Sequence, residues 1–354
     1  MTATGSSPGG GAVQEARTRA VVVGPLPGRS AVEAFTTMRG ELGAPHRSGL
    51  LALPGRSDAA DELPRTVAVL TELHCDLQPH GWRLQRHGSQ DSRAAQSLLA
   101  GDINALADVI GAESGGDREP VTTELLGPIT LAARLHLHGG ERVLRDHGAR
   151  RDLADSLADG IAGHLRAVRE AAGGREVAVR WSEPELQRVL DGRIPTASGY
   201  RTLRAVPWAE VRETLTRIGR AAAEAGAASV ELRIPQGAEI ARFASVGADR
   251  LVLDVPGPSA REWEPLAAVR EDGVELTLQL GRLGDPRSGR FSTGQHVEAV
   301  AGPWTDLGLP QRELSRLMIA AGPGLEDTDP GSLAVTLGRA ADIARELEET
   351  AREA

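Results

Sequence analysis

The sequence predicts a single α/β barrel of eight parallel strands. Three observations predict it: eight short apolar runs, long amphipathic segments alternating with them, and no linker visible near the middle of 354 residues. Alternation of β and α implies a parallel sheet, and eight such pairs imply a closed barrel. A doubly wound sheet in two domains would give a similar alternation, and the missing linker argues against it. The length suits one barrel with additions.

The strand candidates in chain order are Ala20–Val23, Gly49–Leu53, Val121–Leu126, Glu176–Trp181, Ala228–Arg233, Arg250–Asp254, Val274–Leu280 and Leu317–Ala321. Helices are predicted over Arg151–Ala172, Trp208–Ala225, Ala238–Val246 and Pro330–Thr350. In the first of these Leu153, Leu157, Ile161 and Leu165 recur every four residues, which is the stripe of a helix lying on a core. The stretch Leu73–His87 carries Pro79-His80-Gly81-Trp82-Arg83 and reads as a hairpin inserted into the alternation. His74-Cys75 is placed on an amphipathic helix, as packing. Residues 1–18 are rich in Gly and Ser and read as a disordered tail, leaving 19–354 for the barrel.

Composition removes several function classes. All 40 basic residues are arginine, so a Schiff-base lysine and a P-loop lysine are both impossible. Cys75 is the only cysteine, which excludes an intrachain disulfide and any site built on several thiolates. Net charge is −9 with both signs interspersed, so no basic stripe is present to neutralise phosphates, and nucleic acid is not an expected partner. No apolar run approaches 18 residues and Met1–Gly11 lacks a signal-peptide layout, so no membrane partner and a cytoplasmic location are expected. Gly24-Pro25-Leu26-Pro27-Gly28 follows a strand as a phosphate loop would, but two prolines remove the donors such a loop uses. His136-x-His138 is the one spacing that suggests a metal; two histidines without a third ligand make a poor site, and a surface loop is the expected setting.

Five segments together resemble the catalytic domain of cobalamin-independent methionine synthases, in the form of their short actinobacterial-type relatives. They are Val23–Gly28, Pro79–Arg83, Gly127–Ala132, Ser182-Glu183-Pro184-Glu185-Leu186 and Pro195–Tyr200, with Thr202-Leu203-Arg204-Ala205-Val206 after the last. Their order spans roughly residues 19 to 350. The resemblance implies the barrel of the methionine synthase and uroporphyrinogen decarboxylase-like superfamily. It also implies methyl transfer from a methylfolate to homocysteine, with zinc holding the substrate as thiolate. A free thiol with a pKa of about 8.5 is mostly protonated at neutral pH, and zinc deprotonates it.

The residues at the ligand positions depart from that pattern. The family's His-x-Cys corresponds to Glu231 and Arg233, its second Cys to Pro323, and its carboxylate ligand to Asp254 or a near neighbour. Its Asp-Glu-Pro reads Ser182-Glu183-Pro184, and its N-terminal Gly-Ser reads Gly24-Pro25. The resemblance therefore predicts no metal, no cofactor and no homocysteine methylation. Residues two apart on a strand share a face, and the family register turns Glu124, Arg180, Ser182, Glu231, Arg233 and Asp254 inward. With Glu183 and Tyr200 they form the candidate pocket, expected to take an anionic or amino-acid-like small molecule. A charge network that merely refills an abandoned metal site is the competing reading. The enzymatic alternatives are a retained methionine synthase-type S-methyltransferase and a metal-free uroporphyrinogen decarboxylase-like activity on an anionic substrate, with Arg180 and Arg233 holding substrate carboxylates and Asp254 stabilising charge.

Overall fold

The structure is a computed structural model that describes residues 17–113, 117–281, 283, 292–322 and 324–353. Eight parallel strands, β1 (Arg19–Val22), β2 (Gly49–Leu50), β5 (Val121–Leu126), β6 (Val177–Ser182), β7 (Val230–Arg233), β8 (Arg250–Asp254), β9 (Glu275–Leu280) and β10 (Met318–Ala321), form one sheet. Its order is β1-β10-β9-β8-β7-β6-β5-β2. A parallel bridge between Val21 and Arg47, with Arg47 N donating to Ala20 O, joins β1 to the approach to β2 and brings the ring round. The predicted barrel is present, and all eight strand candidates coincide with its strands. The largest difference is β2, two residues long where five were expected.

The hairpin of β3 (His74–Gln78) and β4 (Gly81–Gln85) lies outside the barrel sheet. Cys75 sits on β3, not on a helix, and is buried; its amide donates to Ser92 Oγ. The period-3.6 reading failed there because five residues are too few to separate a strand from a helix turn.

The barrel's helical coat comprises α1 (Ala31–Glu41), α2 (Glu62–Val67), α3 (Gln90–Gly111), α4 (Pro128–Arg134), α5 (His147–Ala171), α6 (Leu186–Leu190), α7 (Trp208–Glu224), α8 (Ala260–Glu271), α9 (Thr293–Asp306) and α10 (Gly331–Arg352). Local chemistry starts several of them: Ser30 caps α1 through Glu33 N, Asp146 caps α5 through Ala149 N, and Ser292 with Gln295 forms a capping box on α9. The stripe Leu153, Leu157, Ile161 and Leu165 of α5 is wholly buried. The predicted helix Ala238–Val246 is a 3-10 helix over Ile240–Ser245, in a stretch bracketed by Gly237 and Gly247 at positive φ.

The main core lies between sheet and helices, whereas Val21, Val23, Val252, Met318 and Ala320 form a separate cluster inside the barrel. Residues 1–16 of the expected tail lie outside the described residues. Thr18 is packed against the barrel, its amide donating to Glu348 Oε2 and its hydroxyl to Leu314 O. Among the described residues no helix is long and apolar enough to cross a membrane.

Candidate functional site

Strand register places the inward side chains. Glu124, Arg180, Glu231, Arg250 and Glu275 are successive partners across β5 to β9, a row of alternating charge. Strands of an eight-stranded barrel tilt, so a horizontal layer steps about one residue per strand and draws on alternate strands. With that stagger Glu124, Arg233, Gln279 and Val23 make one layer near the C-terminal end. Ser182, Asp254, Gly322 and Leu51 lie above it, Arg180, Val252, Ala320 and Gly49 below it, and Thr122, Glu231, Thr277 and Val21 below those.

Arg180 crosses the lumen. From β6 its Nη1 donates to Val22 O on β1 at 2.8 Å and to Glu124 Oε2 at 3.0 Å, and its Nε donates to Glu231 Oε2 at 2.9 Å. The other members of its layer are small enough to admit it; a Cβ on Gly49 would already stand 2.7 Å from Thr122 O. Arg180 and Glu231 are 0% exposed. Burial opposes the Arg180 charge, but Glu231 and Glu124 outweigh it and hold the guanidinium above its ordinary pKa. Burial likewise acts to raise Glu231, and Arg180, Arg47 and Arg250 reverse it, so that carboxyl lies below its ordinary range. Arg47 Nη1, 3.4 Å from Glu231 Oε1, is pushed down to about 10 by burial. This stack closes the barrel beneath the mouth.

Above the stack Arg233 and Asp254 are partly exposed. Glu124 accepts from Gly24 N at 3.1 Å on one oxygen, and Arg233 Nη1 lies 3.4 Å from the other. Gly24 holds φ +81 and Gly322 φ +127, and a Cβ on Gly322 would stand 2.7 Å from Val23 O, so both turns beside the mouth need glycine. Gln279 Nε2 donates to Asp254 Oδ1 at 2.9 Å. Burial raises the carboxyls of Asp254 and Glu326, and it pushes Glu62, at the start of α2, up to about 7 with help from Glu124. Arg233 is a neighbouring cation of all three.

The predicted site residues therefore divide. Glu124, Arg180, Ser182, Glu231, Arg233 and Asp254 converge on the lumen. Glu183 is buried but turned to the base of α4, where its carboxylate accepts from Ile129 N, Thr130 N and Thr130 Oγ1. Tyr200 is 93% exposed and does not line the lumen; its loop folds against Glu141, which accepts from Ala197 N. Pro323 lies outside the described residues. His136 is buried against the hairpin, with Nδ1 on Gly140 O, and only His138 is on the surface. Sequence reading passed over Arg47, Arg250 and Glu62. Arg250 was legible, since it stands four residues before Asp254 on the same strand face; Arg47 and Glu62 enter from irregular segments with no period to read.

Comparison with solved structures gives the fold but no sequence kinship. A structure of a B12-independent methionine synthase from Shewanella sp. W3-18-1, in complex with selenomethionine, superposes with a TM-score of 0.61 at 11% identity, over 96% of this chain and 100% of that one. A structural-genomics protein from Listeria monocytogenes assigned to vitamin-B12-independent methionine synthase gives 0.57 at 11% identity, over 94% and 98%. No family model matches the sequence. No curated protein matches it either. The chain shares the fold of these methionine synthase structures along essentially its whole length.

Proposed function

We propose that this chain is a diverged paralogue of cobalamin-independent methionine synthases that works without zinc, does not methylate homocysteine, and holds a small anionic or amino-acid-like molecule at the barrel mouth. The observation that carries the reading is the charge stack at the position where the resemblance calls for zinc ligands. Glu231 is engaged by two arginines, through Arg180 on one oxygen and Arg47 on the other. Arg233 presents a guanidinium in place of a thiolate. A dication placed there would meet no soft donor and would face fixed positive charge.

Nor does the lone cysteine repair the set. Cys75 is buried in the hairpin, and burial pushes its thiol up to about 12, which keeps it protonated at neutral pH. Among the described residues no three His, Cys, Asp or Glu side chains are grouped to hold a metal ion. The side chains at this position do not fit zinc.

The test is metal content by elemental mass spectrometry on untagged protein incubated with zinc, run beside an assay for methionine formation from homocysteine and a methylfolate. Less than a tenth of an equivalent of zinc and no methionine are expected. A full equivalent, or turnover, would refute the reading and restore methyl transfer.

A further inference from the structure

Buried side-chain oxygens at the mouth leave hydrogen-bond capacity unused. Gln279 is 3% exposed and commits its amide N–H to Asp254, while its Oε1 has no partner among the described residues. Ser182, 0% exposed and in the same layer as Asp254, also has an unpartnered Oγ. Among the described residues Asp254 accepts a side-chain hydrogen bond only from Gln279 and has no cation at ion-pair distance. An acceptor buried without a donor costs about 1–3 kcal/mol, so these oxygens call for donors from a ligand.

Charge points the same way. The single guanidinium at the mouth, Arg233, already faces Glu124 at 3.4 Å. Asp61, Glu62 and Glu326 stand around it on the rim, with Arg134 as the other nearby cation. Gly322, in the layer of Ser182 and Asp254, contributes no side chain.

We propose that the mouth is an ammonium site, in which a small primary amine seats its NH3+ group on Asp254, Gln279 Oε1 and Ser182 Oγ between β6, β8 and β9. An ammonium has three donors and no acceptor, and this seat offers three acceptors, one of them charged. The inference rests on the reading of the mouth as a small-molecule site, keeps its amino-acid-like ligand and replaces its anionic one: positive charge is required, and a carboxylate is not.

Calorimetric titration of the full chain with n-butylamine, 1,4-diaminobutane, butyrate and methionine tests it. Both amines are expected to bind and butyrate is not. Asp254→Asn is expected to weaken amine binding at least tenfold, with circular dichroism checking its fold. Arg233→Met, which removes the competing cation, is expected to tighten it, and a gain cannot arise from misfolding. Amine binding indifferent to both substitutions would overturn the ammonium seat, as would no binding by any probe. Binding of butyrate or methionine without the amines would overturn it too, yet leave the zinc-free small-molecule reading standing, since that reading fails on zinc uptake or methionine formation.

Discussion

A guanidinium inside a barrel must find anions or carbonyls within reach, and Arg180 finds two carboxylates and a main-chain oxygen on three other strands. Removing one partner of such a set leaves charge buried without compensation, a loss of about 3–5 kcal/mol. Arg180→Met should therefore lower stability by that amount, read as a fall in denaturation midpoint at unchanged slope; a loss under about 1 kcal/mol would mean that water already reaches Glu231. His164 is a second buried group with a definite consequence. Its Nε2 meets Thr123 Oγ1 at 2.8 Å, and burial pushes its pKa down to about 3 from 6.5. The unfolded chain then binds the proton first as pH falls, so stability is complete above about pH 6.5 and is lost toward pH 3. His164→Gln should keep a partner for Thr123 and shift the acid-unfolding midpoint to lower pH; an unchanged acid limb would show that other groups govern it.

Elements were legible where an apolar period was long enough to be unambiguous. The stripe of α5 and the parity of β6, β7 and β8 could be read directly; parity put Glu231 and Arg233 on one face, and the register implied by the family resemblance turned Arg180, Glu231, Arg233 and Asp254 inward. Tyr200 was set in the pocket and Cys75 on a helix, and pattern could support neither position, because a loop has no period and a five-residue strand resembles a helix turn. Glu183 shows how far pattern carries: its position beside Ser182 was clear, its role was not. The first turn of α4 begins with Pro128 and leaves Ile129 N and Thr130 N without helical partners, and Glu183, just past the neighbouring strand β6, accepts from both. Gly127 is required beside it, since a Cβ there would lie 2.2 Å from the Glu183 carboxylate. Burial pushes this carboxyl up to about 7 from 4.5, against three donors. The folded state therefore binds the extra proton between those values, and its contribution to stability falls as pH rises from about 4.5 to about 7. Glu183→Gln cannot titrate, so its stability should vary less with pH in that window than the parent's, measured by denaturation at pH 5 and pH 7.5. Equal pH dependence would mean that Glu183 stays ionised on the helix terminus throughout.

Across the whole barrel the lumen is divided in kind. Val21, Val23, Val252, Met318 and Ala320 make one side apolar, on β1, β8 and β10. The other side carries Glu124, Arg180 and Glu231 on β5, β6 and β7. A barrel needs only a filled interior to stand, and buried ion sets are often replaced by apolar groups without loss. If the charged half is there for stability alone, it is a poor choice for that purpose. The combined substitution Glu124→Leu, Arg180→Met and Glu231→Leu should regain most of what Arg180→Met alone forfeits, because no charge remains to be stranded. Its thermal midpoint should return to within a few degrees of the parent. The same variant removes Glu124, the carboxylate that faces Arg233 at 3.4 Å, and leaves Arg233 an uncompensated cation beside the ammonium seat, so amine binding should fall at least tenfold while the fold persists. Recovery of stability together with loss of binding would assign the charge stack to the ligand. Recovery with binding intact would reduce it to a filling of the lumen that evolution has had no single-step route to remove.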